Sequence, residues 1–205
     1  MYDFKLTEEI ARWAFEVACK NNPEWYIAFT NPTAGPWKAI TAANKKGITG
    51  RVYTFDSKEK RPDLILINDS LDLILILEAK SDLESLLLEN QIQKSVQVVA
   101  DVGKMLQKQR QNPYWGKRYM RKIGTGLLWG CTKEIEEETY EQLFTAYYDQ
   151  INHYSNIDQR MIVGIEVKKE GHRLNCKVCG RNYEKGEKTL TIQKLAQSLN
   201  LAYKE

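Results

Sequence analysis

Hydrophobic residues in this chain recur with periods that change along its length, and each change marks an element. From Glu8 to Lys20 the apolar positions Ile10, Ala11, Ala14, Phe15, Val17 and Ala18 fall at helical spacing. Thr7 is placed to cap that helix, Glu8 and Glu9 occupy its first turn, and Asn21-Asn22-Pro23 ends it. Residues 24 to 50 hold Trp, Pro, Gly, Thr and Asn without a sustained period, which predicts a short strand at Trp25 to Phe29 and then a long loop. Thr49 to Phe55 reads as a strand. Leu64 to Ile67 and Leu73 to Leu77 are continuous apolar runs separated by Asn68-Asp69-Ser70-Leu71-Asp72, the pattern of two buried strands joined by a turn. Leu83 to about Gln111 has a helical apolar face, stopped by Asn112-Pro113. Ile123 to Cys131 is a glycine-punctuated strand, Tyr140 to about Tyr154 an amphipathic helix, and Arg160 to Val167 a strand. Turns are expected at Lys169-Glu170-Gly171 and near Gly180, and Thr191 caps a last helix, Ile192 to Leu199. The order helix, strands, helix, strand, helix, strand predicts an α/β fold, a mixed β-sheet flanked by helices.

The paired apolar runs carry the most chemistry. Pro62-Asp63 precedes the first, and Glu78-Ala79-Lys80 ends the second. Strands joined by a short turn run antiparallel, so the start of the first lies beside the end of the second. Asp63, Glu78 and Lys80 are therefore expected at one edge of a hairpin. Glu78 and Lys80, two apart, share a face. Two carboxylates and an ammonium gathered at one spot suit a hard divalent cation with a fixed positive charge beside it.

Bulk properties narrow the setting. The chain has 205 residues, 42% of them hydrophobic and 28% charged, the profile of one globular domain with a sizeable core. No apolar run exceeds about five residues, far short of a membrane span. No signal peptide is evident at Tyr2-Asp3-Phe4-Lys5, and four scattered cysteines do not make a disulfide scaffold, so a reduced, cytoplasmic protein is expected. The net charge of +3 is mild, but its distribution is not. Between Val102 and Thr132 there is no acidic residue, while Lys104, Lys108, Arg110, Lys117, Arg118, Arg121 and Lys122 all fall there. Glu134, Glu136, Glu137, Glu138 and Glu141 follow at once. The basic stretch suits a polyanion.

The residues Pro62-Asp63 and Glu78-Ala79-Lys80, with a helix before and a helix after, resemble the PD-(D/E)xK nuclease superfamily, the restriction-endonuclease-like group. The resemblance spans roughly residues 5 to 130, and its motif does not specify a subfamily. It implies a restriction-endonuclease-like core within a single nuclease domain over 1–205, with 155–205 as a C-terminal helix and hairpin extension. It implies Mg²⁺-dependent phosphodiester hydrolysis. Asp63, Glu78 and the backbone carbonyl of Ala79 would ligate the metal, and Lys80 would orient the attacking water and offset phosphate charge. Members of the group often carry a glutamate on the first helix. Glu9 and Glu16 are both placed for it, and Glu16 is the choice here. A glutamine on the helix after the motif faces the active site in related nucleases. Gln91, Gln93, Lys94 and Gln97 lie on that helix, with Gln93 taken as the contact.

Two segments suit DNA. Asn31 to Arg51 contains Lys38, Asn44, Lys45, Lys46 and Arg51 and no acidic residue. Asn112 to Lys122 interleaves Lys117, Arg118 and Arg121 with Tyr114, Trp115 and Tyr119, so cations to track phosphates alternate with rings that stack. Cys176-Lys-Val-Cys179-Gly180 has the form of a zinc-ribbon knuckle, but a structural zinc needs four ligands and no second pair exists. Two thiols at a hairpin turn are the expectation. No Gly-x-x-x-x-Gly-Lys phosphate loop is present, so ATP is not required. Together these point to a type II restriction endonuclease acting on double-stranded DNA as a homodimer, without a membrane. The alternatives are a junction or structure-specific repair nuclease, or a non-catalytic DNA-binding protein on a nuclease-like fold.

Overall fold

A computed structural model describes residues 4–30, 38–44, 47–55, 62–68, 70–71, 73–80, 87, 91–110, 122–131, 136–154, 159–170, 173–182 and 192–203. In chain order the elements are α1 (Phe4–Lys20), β1 (Trp25–Thr30), β2 (Lys38–Asn44), β3 (Gly47–Phe55), β4 (Leu64–Asn68) and β5 (Leu73–Lys80). Then come α2 (Gln91–Arg110), β6 (Lys122–Cys131), α3 (Glu137–Ile151), β7 (Gln159–Glu170), β8 (Arg173–Asn182), α4 (Ile192–Leu199) and β9 (Ala202–Tyr203). The fold is mixed α/β. Among the described residues no helix is long and apolar enough to cross a membrane.

A seven-stranded sheet in the order β1-β4-β5-β6-β7-β8-β9 forms the frame. Its first three strands are antiparallel neighbours, β5, β6 and β7 run parallel, and β8 turns back against β7. Parallel neighbours need a crossover, and α2 and α3 supply the two. Both crossovers step the same way along the sheet, so with a common hand both helices fall on one face. The other face is covered by α1 and α4: Phe15, Cys19, Leu195, Ala196 and Leu199 pack with Leu64, Leu66, Leu73, Leu75, Leu77, Ala79 and Leu128. With helices on both sides, the central strands lose the alternation of a half-exposed sheet. Every residue of β4 is buried, and so is every residue of β5 except Lys80.

The ends of the elements have local causes. The Asn68 side chain accepts the Leu71 N–H at 2.8 Å, so the turn after β4 is closed by an asparagine fold-back. At the C-terminus of α1, the Asn22 amide donates to the carbonyls of Ala18 and Leu199, tying α1 to α4. Asn200, at φ 55°, ends α4 in the left-handed region that asparagine tolerates, and Leu201 N–H reaches back to the Ala196 carbonyl.

Four expectations change. The helix α1 begins at Phe4, so Thr7 lies inside it and is not its cap. The long loop expected after β1 contains β2, paired with β3 through two register shifts as a separate two-stranded sheet. No turn interrupts the chain near Gly180, since β8 runs through to Asn182. Finally, the segment anticipated as an extension is part of the frame: β7 pairs along β6, and α4 shares a core with α1.

Leu66 is fully buried where α1 and α4 meet the sheet. Leu66→Ala should cost about 2–5 kcal/mol, through lost burial and the cavity left behind. Denaturant titration should show a lower midpoint at an unchanged slope. A loss below about 1 kcal/mol would contradict a shared core at this position.

Candidate active site

Leu64 pairs with Leu77 and Ile65 with Ile76. The paired register ends at Leu64 and Leu77, with Pro62 and Asp63 just before the strand and Glu78 to Lys80 just past the last residue paired with β4. By alternation Glu78 and Lys80 project to the side of the sheet that carries α2 and α3, while Leu77 and Ala79 enter the core beneath α1. Glu78 is only 9% exposed. Lys80 Nζ lies 3.0 Å from Glu78 Oε1, a charge-assisted hydrogen bond at the rim of the sheet.

Asp63 makes the contact that organises this edge. Its Oδ2 accepts the backbone N–H of Ala79 at 2.7 Å. The N–H and C=O of one strand residue point to the same side, so the Ala79 carbonyl also turns toward β4. The β4–β5 ladder ends at Leu64 and Leu77, and beyond it the Asp63 side chain takes the Ala79 N–H. Hard carboxylate oxygens suit Mg²⁺, which takes few protein ligands and keeps several waters. Among the described residues there is no group of three or more His, Cys, Asp or Glu side chains that could hold a metal. Asp63 and Glu78 are two carboxylates at this edge, fewer side-chain ligands than a closed metal cage needs.

Four residues expected at the site, Asp63, Glu78, Ala79 and Lys80, are brought together. Others are placed elsewhere. Glu16 lies 3.9 Å from Arg12 and acts on Cys19, whose thiol ionisation is pushed far up by burial and then by that carboxylate. Glu9, about 10 Å back along the helix axis, is exposed. Helix phase puts Glu9 and Glu16 on one face and does not choose between them.

The following helix begins on the correct side, because a crossover from β5 starts at that strand's carboxyl end. Gln93 is exposed in its first turn. Gln97 is engaged in other contacts, accepting from Tyr154 Oη at 3.1 Å and donating to Asp101 at 2.9 Å. Lys38, Asn44 and Arg51 lie on the β2–β3 hairpin, and Lys45 and Lys46 fall outside the described residues. The chain leaves the sheet at Thr30, opposite Leu64, and returns to it at Pro62 and Asp63. Lys117, Arg118 and Arg121 also fall outside the described residues. The strand that follows them starts at Lys122, paired with Leu73, at the end of β5 away from Glu78.

Acidic residues gather at the site's other flank. Glu136, Glu137 and Glu138 are exposed at the start of α3, the end that follows the carboxyl terminus of β6. An open trough of about 420 Å³ runs along the same helix past Glu141, Gln142, Thr145, Ala146 and Asp149.

The Cys-x-x-Cys pair is not a knuckle. Cys176 and Cys179 pair with Val167 and Gly164 in the middle of β8. Three apart in an extended strand, they point to opposite faces. Cys179 is buried and Cys176 half-buried, with burial raising the Cys176 thiol's ionisation. They cannot meet at one ion.

In comparisons with models of known protein families, with curated proteins and with solved structures, the chain matches none.

The Asp63 contact makes a stability prediction independent of any reaction. Asp63→Asn keeps an acceptor for the Ala79 N–H, whereas Asp63→Ala removes it. The alanine variant should lose about 1–3 kcal/mol, and the asparagine variant clearly less, measured by thermal and denaturant unfolding. Equal losses would show that this hydrogen bond does not hold the edge.

Proposed function

We propose that this chain is a Mg²⁺-dependent endonuclease of double-stranded DNA built on a restriction-endonuclease-like core, and that it acts as a type II restriction enzyme. The supporting observation is that the Asp63 carboxylate accepts the Ala79 N–H at 2.7 Å while Lys80 Nζ lies 3.0 Å from Glu78, so that these residues share one end of the hairpin. A structural hairpin gains nothing from two carboxylates and an ammonium at a half-buried rim, because each carries a desolvation cost.

Asp63, Glu78 and the Ala79 carbonyl would hold the cation. Bound Mg²⁺ supplies charge neutralisation for the phosphate oxygens. The remaining work belongs to the chain. Asp63 is fixed by the Ala79 N–H, so its carboxylate need not reorganise when a cation arrives. Lys80, tethered by Glu78, presents ammonium protons at the rim, where they orient a water for in-line attack and offset the charge of the pentacoordinate phosphate. Its compact ammonium suits that role better than a guanidinium, which is wider and stays protonated.

Substrate approach follows the charges. The flank of α3 is acidic and repels a polyanion. The β2–β3 hairpin, on the side of the sheet toward β1, carries Lys38, Asn44 and Arg51, and the adjoining Lys45 and Lys46 add to its charge. DNA entering from that side reaches the carboxylate edge with cations along its path. Gln93 and the segment bearing Lys117, Arg118 and Arg121 are further contacts in this reading. Cutting both strands of a palindromic site calls for two copies related by a two-fold axis, hence a homodimer.

Duplex cleavage by purified variants tests the reading. Asp63→Ala and Glu78→Ala should lose Mg²⁺-dependent cleavage, by about a thousandfold or more, while still retaining DNA in gel-shift assays. Lys80→Ala should fall comparably, and Lys80→Arg should not recover the wild-type rate. Wild-type cleavage by either carboxylate variant would remove these residues from the chemistry. A fully active arginine variant would reduce Lys80 to a phosphate contact.

A further inference from the structure

The side of the sheet that carries Glu78 holds polar side chains that packing alone does not require. Ser95 Oγ on α2, Thr125 Oγ1 and Trp129 Nε1 on β6, and Tyr147 Oη on α3 are buried with no hydrogen-bond partner among the described residues. Such groups are rare in native interiors, and each calls for a reason.

Two of them converge on Glu78. In the parallel register Glu78 pairs with Leu127 and Ile76 with Thr125, so Thr125 is the diagonal neighbour of Glu78 on the same face. Tyr147 comes from the helix above. The buried stripe of α3 is Tyr140, Leu143, Phe144, Tyr147 and Ile151. Tyr140 meets Trp129, with ring centroids 6.1 Å apart, and Trp129 pairs with Lys80. Two turns further, about 10 Å along the axis, Tyr147 comes down at the level of Thr125, since α3 runs back against β6. Tyr147 is fully buried. Its hydroxyl interacts with the neighbouring Thr125 side chain and feels the charge of Glu78, which places all three close together. Phenylalanine at 147 and valine at 125 would fill the same space without burying an unpartnered oxygen.

We propose that Tyr147 and Thr125 are positioning residues for Glu78, two hydroxyls on the inner side of the carboxylate that orient it toward a divalent cation at the rim. Lys80 restrains the carboxylate from outside, at Oε1. The hydroxyl pair faces it from inside as nearby dipoles, beyond hydrogen-bond distance of Oε2, without competing for the cation's place. The inference rests on the reading of Asp63 and Glu78 as metal ligands.

Tyr147→Phe, Thr125→Val and the double variant, compared with wild type, test it by three measurements: melting temperature without metal, Mg²⁺ binding by calorimetry, and the Mg²⁺ concentration giving half-maximal duplex cleavage. The double variant should melt at or above the wild-type temperature, because both buried hydroxyls leave together, and each single variant should still fold. Each should bind Mg²⁺ about tenfold more weakly, as with other groups that orient a ligand without touching the metal. The half-maximal concentration should rise by the same factor, and the double variant should lose little more than either single. Mg²⁺ affinity within twofold of wild type in both single variants overturns the proposal, whatever happens to the melting temperature. Failure of both to fold overturns it too, because the hydroxyls would then serve packing. A wild type that binds Mg²⁺ without cutting DNA sinks the nuclease reading alone, and calorimetry still decides the positioning role. A wild type that binds no Mg²⁺ sinks both.

Discussion

One hydrogen bond, from the Ala79 N–H to Asp63 Oδ2, closes the edge on which the rest of the site depends. It lies just beyond the last paired residues of the β4–β5 ladder, Leu64 and Leu77. There the aspartate side chain takes over a strand N–H that has passed the end of the ladder. The same contact orients Asp63 next to the strand end that carries Glu78 and Lys80.

The strands behind this edge give it rigidity. Leu64–Asn68 and Leu73–Leu77 are buried, so a slip of one residue would expose or clash an entire row on each side. Register is therefore strongly specified up to the pair Leu64 and Leu77. The edge also lies at the carboxyl ends of parallel β5 and β6, where open α/β sheets commonly place their ligands. The start of α3 is acidic, while the sequence of the β2–β3 hairpin is basic.

How much of this was legible in the chain depended on how local its cause was. The hairpin of Asp63, Glu78 and Lys80 could be read directly, because two pure apolar runs with charged ends admit few other arrangements. The β2 strand was hidden because Lys38–Asn44 is built of small residues without alternation, and it pairs with β3 only through two register shifts. In β8 the alternation of Leu174, Cys176 and Val178 was present, but Cys-x-x-Cys-Gly suggested a turn. Glu9 and Glu16 share one face of α1, so helix phase did not choose between them. Tyr147 and Thr125 were invisible for a similar reason. Periodicity says that both are buried, but their approach to Glu78 depends on the parallel pairing of β5 with β6 and on the placement of α3, both long-range features.

The central claim is that the hairpin edge, and not the larger acidic surface of α3, is where a divalent cation binds. Titrating isotope-labelled protein with sub-stoichiometric Mn²⁺ and following the loss of backbone amide signals separates the two directly, since paramagnetic broadening falls off steeply with distance. The account predicts that the amides of Asp63, Glu78, Ala79 and Lys80 broaden first and that excess Mg²⁺ restores them. Broadening that begins instead along Glu137 to Asp149, with the hairpin edge unaffected, would contradict it.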